Sequence, residues 1–236
     1  MILAILQARM SSSRLPGKVL LPIAGHPMMG RQIERIHRAR LIDRLVVATS
    51  ADEPDDPIAK FCATDGVPCF RGSLHDVLSR FQGAARSFGP ANHIVRLTAD
   101  CPLIDWNVID GAIQLHLDRQ ADYTGNVIER TYPDGLDVEV MTAGALERAA
   151  REASDTYERE HVTPYLYRHP ELFTAAHLRQ KDDLSKLRWT VDDSADFAMV
   201  SAVYRALYRL NPEFVQADIL KLLTARPDIS SINAPT

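Results

Sequence analysis

"HIVRLTADCPLIDWNVIDGAIQLHL", residues 93–117, holds a complete strand, turn and helix. His93–Thr98 is a short, largely apolar run of the kind found in strands buried on both faces. Asp105–Leu117 follows as a helix, with Trp106, Ile109 and Ile113 on one face. Between the two, Asp100 comes directly off the strand, and Pro102 stops regular structure.

Three similar units precede this one. Ile2–Leu6 reads as a buried strand, and Pro27–Arg40 as a helix with Met29, Ile33 and Ile36 on one face. Arg44–Thr49 and Asp56–Thr64 form the next pair, Val67–Phe70 and Leu74–Phe88 the third. Four consecutive strand–helix units predict an α/β fold, a mostly parallel sheet with helices on both faces. Right-handed crossovers gather the strand C-termini on one edge, where ligands bind. The informative segments are therefore 7–18, 49–56, 70–76 and 98–104.

The second half is less regular. Leu136–Met141 alternates like a half-buried strand, and Leu187–Val191 reads as another. Thr142–Arg151, Asp155–Arg168 and Ala195–Arg209 read as helices. This half is expected to complete the sheet and to add a small substrate lobe. The expectation is one domain over 1–236, with a regular strand–helix part near 1–125 and a substrate-facing part near 126–190.

Composition narrows the function. A chain of 236 residues with 46% hydrophobic content can bury one sizeable core. A net charge of −4 argues against general nucleic-acid binding, which needs a basic face. Three cysteines, Cys62, Cys69 and Cys101, lack metal-ligand spacing and fit a reducing cytoplasm better than a disulfide framework. The N-terminal apolar run is too short for a signal peptide or a membrane span. The expectation is a cytoplasmic protein without a membrane or nucleic-acid partner.

The loop after the first strand carries Arg9, Arg14 and Lys18 around three serines and a Pro16-Gly17 pair. Such a loop at the functional edge suits phosphates: backbone N–H groups and cations can cradle them. It has neither the GxxxxGK[ST] nor the GxGxxG pattern. Asp100, facing this loop, suggests a Mg²⁺ ligand beside phosphates, although a lone Asp is more often a turn or N-cap residue. "LRWTVDD", residues 187–193, repeats the arrangement and supplies Asp192 as a second ligand, with Asp193 suited to capping the next helix.

The motifs taken in order resemble a known family. "LQARMSSSRLPGK" (6–18), "FRGSLHDVLSRF" (70–81), "RLTADCPLID" (96–105), "YPDGLDVEV" (132–140), "EREHVTPYLY" (158–167) and "LRWTVDD" (187–193) resemble the cytidylyltransferases that activate sugar acids. Gln7 stands where the sialic-acid and Kdo enzymes usually carry Pro, which favours the SpsF-type (spore-coat polysaccharide biosynthesis) branch. The resemblance implies a nucleotide-diphospho-sugar transferase (Rossmann-like) fold. It also implies transfer of CMP from CTP to a sugar-type acceptor, with Mg²⁺ and release of pyrophosphate, in surface polysaccharide biosynthesis. Homodimers through the irregular second half are common in this fold.

Carried over residue by residue, Arg9, Arg14 and Lys18 would hold the triphosphate, and Asp100 and Asp192 the metal. The backbone of Leu6, Gln7 and Ala8, with Arg71 and Ser73, would hold the cytosine. Asp134, Asp137, Glu139, Arg159 and His161 would face the acceptor. A glycosyltransferase of the same fold would normally show an Asp-x-Asp pair after the central strand, and here that place reads Ala99-Asp100-Cys101. A non-catalytic relative would have lost the cations or the carboxylates, and all five are present.

Overall fold

A computed structural model describes residues 1–234. The sheet has seven strands in the order β5-β4-β1-β6-β8-β7-β9. β1 (Ile2–Gln7) lies between β4 (Arg44–Ser50) and β6 (His93–Thr98), parallel to both, and β5 (Cys69–Gly72) extends the parallel half beyond β4. The second half closes the other side. β8 (Glu139–Thr142) runs antiparallel to β6, and β7 (Tyr123–Gly125) antiparallel to β8. β9 (Ala175–His177) ends the sheet parallel to β7. A separate two-stranded hairpin pairs β2 (Pro22–Ile23) with β3 (His26–Pro27).

The period-2 alternation of a strand explains the two-sided core. Ala4 and Leu6 of β1 face one layer, Leu3 and Ile5 the other. The first layer is covered by α1 (Met28–Ile36), α2 (Asp56–Thr64), α4 (Trp106–Arg119) and α8 (Ser194–Leu207). Also in it are Ile219 of α9 (Gln216–Ala225) and Ile229 of α10 (Pro227–Ser230). The second layer takes α3 (Val77–Phe88), α5 (Ala143–Glu152) and α7 (Pro164–Arg168). Among the described residues no helix is long and apolar enough to cross a membrane. The three cysteines are free thiols.

Several boundaries differ from expectation for identifiable reasons. The helix expected over 27–40 stops at Ile36, and the backbone N–H groups of Arg40 and Leu41 then donate to the Asp110 carboxylate at 3.0 Å. The helix expected over 155–168 is two: α6 (Thr156–His161) ends where Val162 takes φ +72°, and Pro164 starts α7. Leu136–Met141 is not half-buried. The strand is only β8, and its successive residues Glu139, Val140 and Met141 are 3%, 0% and 0% exposed, buried on both faces because β8 lies inside the sheet between β6 and β7. Leu187–Val191 forms no sheet strand; it pairs only through an isolated bridge between Arg188 and Asp134, which lies in the turn ahead of β8.

At the end of the sheet where β6 begins, His93 Nδ1 lies 3.0 Å from His116 Nε2, and His116 Nδ1 lies 3.1 Å from Thr124 Oγ1. His116 is 1% exposed. Burial, and then the neighbouring His93, push its pKa down to about 4, with Asp122 pulling weakly the other way. Burial and the chain's amino terminus also lower His93. A histidine whose folded pKa lies below its unfolded value near 6.5 is held neutral by the fold. Its contribution to stability is complete above about pH 6.5 and drains away as pH falls toward about 4. Melting temperature should therefore drop across that window in the native chain and fall less steeply in His116→Gln, where His93 still titrates. An unchanged slope in the variant would contradict the assignment.

Candidate active site

The C-terminal ends of β1 and β6 meet at the wall of a cleft of about 300 Å³. Ala8 N donates to Ala48 O and Ala99 N to Gln7 O, so the loops after both strands leave the sheet from fixed points. The first loop is anchored from below. Asp55 accepts from Met10 N at 2.7 Å and from Ser50 N at 3.2 Å. Gly17 closes the loop with φ +72°, and its N–H donates to Met10 O. A Cβ there would also meet Met10 Cε at 3.3 Å, so glycine serves both the turn and the contact.

This closure aims Lys18 into the cleft. Its side chain is 9% exposed. Nζ donates to Val191 O at 2.6 Å and to Asp192 Oδ1 at 3.0 Å, and lies 3.6 Å from Asp100 Oδ2. The two acidic segments meet because their backbones are joined: Val191 N donates to Asp100 O at 2.8 Å and Thr190 Oγ1 to the same oxygen at 3.2 Å. Arg14 reaches Asp192 at 2.8 Å from the solvent side. Two of the loop's three cations therefore share a carboxylate in the bare protein, which relieves their mutual repulsion. Arg9 also lines the cleft and makes no ion pair among the described residues.

Asp192 is held from behind by Arg188, which sequence reasoning missed. Arg188 Nη2 donates to Asp192 at 2.7 Å and to Asp196 at 3.0 Å, and Nη1 donates to Asp134 at 3.0 Å. Burial alone would raise the Asp192 pKa; Lys18, Arg188 and Arg14 outweigh it and hold the carboxyl below its usual range. Gly135 makes this knot possible. It sits at φ +114°, and a Cβ there would lie 2.5 Å from Thr190 N. Only a residue without a side chain lets the 133–136 turn lie against the segment carrying Arg188 and Asp192.

The expected site residues divide into two groups. Gln7, Ala8, Arg9, Arg14 and Lys18 line the cleft with Asp100, His161 and Asp192. The others do not line it. Leu6 is fully buried in β1, in register with Val47 and Leu97. Arg71 turns outward to Ser50 O, Asp52 O and Asp56. Ser73 Oγ accepts from Asp76 N in the turn before α3. Arg159 is spent on Asp76 at 2.6 Å and on the carbonyls of Ala150 and Ala153. Asp137 forms a two-pronged pair with Arg130 at 2.6 and 2.8 Å, and Asp134 is shared by Arg188 and Arg130. Burial first, then Asp137, raises the Asp134 pKa. Glu139 is 3% exposed, accepts from Tyr123 Oη at 2.7 Å and pairs with Arg96. It therefore acts on the cleft through Arg96, which lines it.

Asp100 and Asp192 converge on one cation, so a divalent ion could take carboxylate oxygens from both. Among the described residues no third His, Cys, Asp or Glu completes a metal cage. That donor set suits Mg²⁺, which is usually held by one or two carboxylates, with substrate phosphates and waters filling the other positions.

A mostly parallel sheet with cations after its first strand, facing the carboxylates Asp100 and Asp192, fits a nucleotidyltransferase. Residues 3–200 match the cytidylyltransferase family, and the chain belongs to it. It is 36% identical to an uncharacterized protein of Methanocaldococcus jannaschii over 99% of this chain and 94% of that one. It is 34% identical to the spore coat polysaccharide biosynthesis protein SpsF of Bacillus subtilis, over 98% of this chain and 97% of that one. The solved structure of a cytidylyltransferase from Leptospira borgpetersenii superimposes with a TM-score of 0.93 at 32% identity, covering 100% of this chain and 98% of the other.

Proposed function

We propose that the chain transfers CMP from CTP to a sugar-type acceptor, such as a sugar acid, and releases pyrophosphate in surface polysaccharide biosynthesis. Family membership supports the cytidine nucleotide, and the resemblance to SpsF supports the pathway class. The observation that carries the reading is the placement of Lys18 Nζ, 3.0 Å from Asp192 and 3.6 Å from Asp100. It puts a buried cation and two carboxylates at one point of a solvent-open cleft.

In this reading Lys18, Arg14 and Arg9 bind the triphosphate and offset the charge that grows on the departing pyrophosphate. Phosphoryl transfer asks a protein chiefly for such positioning and charge compensation. Asp100 and Asp192 would hold Mg²⁺, which when bound neutralises phosphate charge and makes the attacking hydroxyl more acidic. Arg96, Glu160 and His161 line the cleft on the side of β6 and α6 and would orient the acceptor. The acceptor oxygen forms its bond to the α-phosphorus as the bond to the bridging oxygen of pyrophosphate breaks. Action in the cytoplasm and as a homodimer belongs to the same proposal.

Pyrophosphate release from each of the four nucleoside triphosphates, with Mg²⁺ and a panel of sugar acids, amino-sugar acids and sugar phosphates, tests it. CTP alone should support turnover. CTP with Mg²⁺ at a hundred times its Kd should stabilise the fold by about 2.7 kcal/mol, and Mg²⁺ alone should do much less, because two carboxylates leave it incompletely coordinated. Equal turnover with UTP or ATP would remove the assignment.

A further inference from the structure

Asn233, beyond α10, is tied into the support of Asp192. A side-chain amide carries two N–H groups, and Asn233 uses both: Nδ2 donates to Arg188 O at 3.0 Å and to Asp196 Oδ1 at 2.9 Å. Those are the two residues that hold Asp192 from behind. Arg188 Nη2 donates to the Asp192 carboxylate at 2.7 Å, and Asp196 Oδ2 accepts from Asp192 N at 3.0 Å. Asp196 is 1% exposed and uses both its oxygens inside this knot. Oδ1 accepts from Arg188 Nε and Asn233, Oδ2 from Arg188 Nη2 and Asp192 N. A buried carboxylate is stable only with such donors around it, so each of them helps to fix where it sits.

The tail that delivers Asn233 is itself anchored. Ile229 of α10 is 4% exposed in the first core layer, Ser231 N donates to Pro227 O at 3.0 Å, and Ile232 N donates to Ile229 O at 3.2 Å. Asn233 does not line the cleft, and the family match ends at residue 200, so neither assigns it a role. We propose that Asn233 is a positioning residue for Asp192. Through Arg188 it steadies the Asp192 carboxylate, and through Asp196 the Asp192 backbone, keeping both opposite Asp100 and Lys18. This rests on the reading above in which Asp192 helps to hold Mg²⁺. Removing a group that orients a metal ligand typically costs tenfold to a hundredfold in metal affinity or activity, whereas a tie that is merely structural would change stability alone.

The test compares the native chain, Asn233→Ala, Asn233→Asp and Asp192→Asn. CTP binding is measured by calorimetry over a Mg²⁺ series and in EDTA, and hydrogen exchange is followed in EDTA without nucleotide. Asn233→Ala should bind CTP about tenfold more weakly with Mg²⁺ and within about twofold of native in EDTA. Asn233→Asp, which sets a carboxylate against Asp196, should lose more with Mg²⁺. Exchange in Asn233→Ala should quicken across 187–196 and stay native in β1 and β6, a readout that needs neither metal nor turnover. Native CTP affinity with Mg²⁺ in Asn233→Ala overturns the inference, and the metal reading stands if Asp192→Asn has lost its response to Mg²⁺. Equal weakening with Mg²⁺ and in EDTA, or faster exchange throughout the sheet, marks a structural tie and also overturns it. A native response to Mg²⁺ in Asp192→Asn overturns the metal reading and this inference with it.

Discussion

Asp100→Asn should lower kcat by about a thousandfold and leave the melting temperature almost unchanged. The separation of the two effects follows from how Asp100 is built in. Its backbone carbonyl, which accepts from Val191 N and Thr190 Oγ1, does the structural joining and survives the substitution. Its carboxylate makes only a 3.6 Å contact with Lys18 and a weak one with the Cys101 thiol. Asp192→Asn should lose a similar factor in rate and some stability as well. Its carboxylate is the partner of Lys18, Arg14 and Arg188, and removing the charge leaves three cations with less compensation. Steady-state pyrophosphate release over a Mg²⁺ series, with melting curves on the same samples, reads both. An active variant at either position takes that carboxylate out of the metal site.

Lys18→Ala should cost at least about a hundredfold in kcat/KM, and Arg14→Ala only about tenfold. The difference is one of solvent. Lys18 has a side chain 9% exposed, where a charge acts through a low effective dielectric, whereas Arg14 is 58% exposed and screened by water. Lys18→Arg should rescue little, since Nζ is already in hydrogen-bond contact with Val191 O and Asp192 and a longer, planar head cannot reproduce both contacts as a point charge does. Equal losses at positions 14 and 18 would contradict this ordering. Arg31, the next arginine along the chain, has a structural role instead. It is 8% exposed and bonds Ile23 O and Ala24 O while pairing with Glu34, so Arg31→Ala disturbs the hairpin and α1.

The parallel half of the fold was legible because each of its strands is a short apolar run with an amphipathic helix as the next long element, a purely local pattern. Legibility failed where a segment's partner lies far along the chain. β7 and β9, three residues each, carry no periodicity long enough to read; they exist because β8 offers an edge and Thr174 O accepts from Asp122 N and Tyr123 N. α9 and α10 lie beyond the last motif and are held by the core they cover.

The sequence by itself determined the class of fold and the ingredients of the site: cations after the first strand, Asp100 after the fourth, and Asp192 far downstream. Each follows directly on a short apolar run, which is local hydrophobic pattern, although the run before Asp192 forms no sheet strand. Only the tertiary structure decided which polar groups remain free for a ligand. Arg159 was taken by Asp76, 83 residues away, Glu139 by Arg96, 43 away, and Asp137 by Arg130. Lys18 was set beside Asp192 across 174 residues, and Arg80, ordinary in sequence, was left on the cleft wall with its Nε unpartnered. A buried charge or donor must find a partner, and whether that partner is protein or ligand depends on groups brought together through space, which local pattern does not encode.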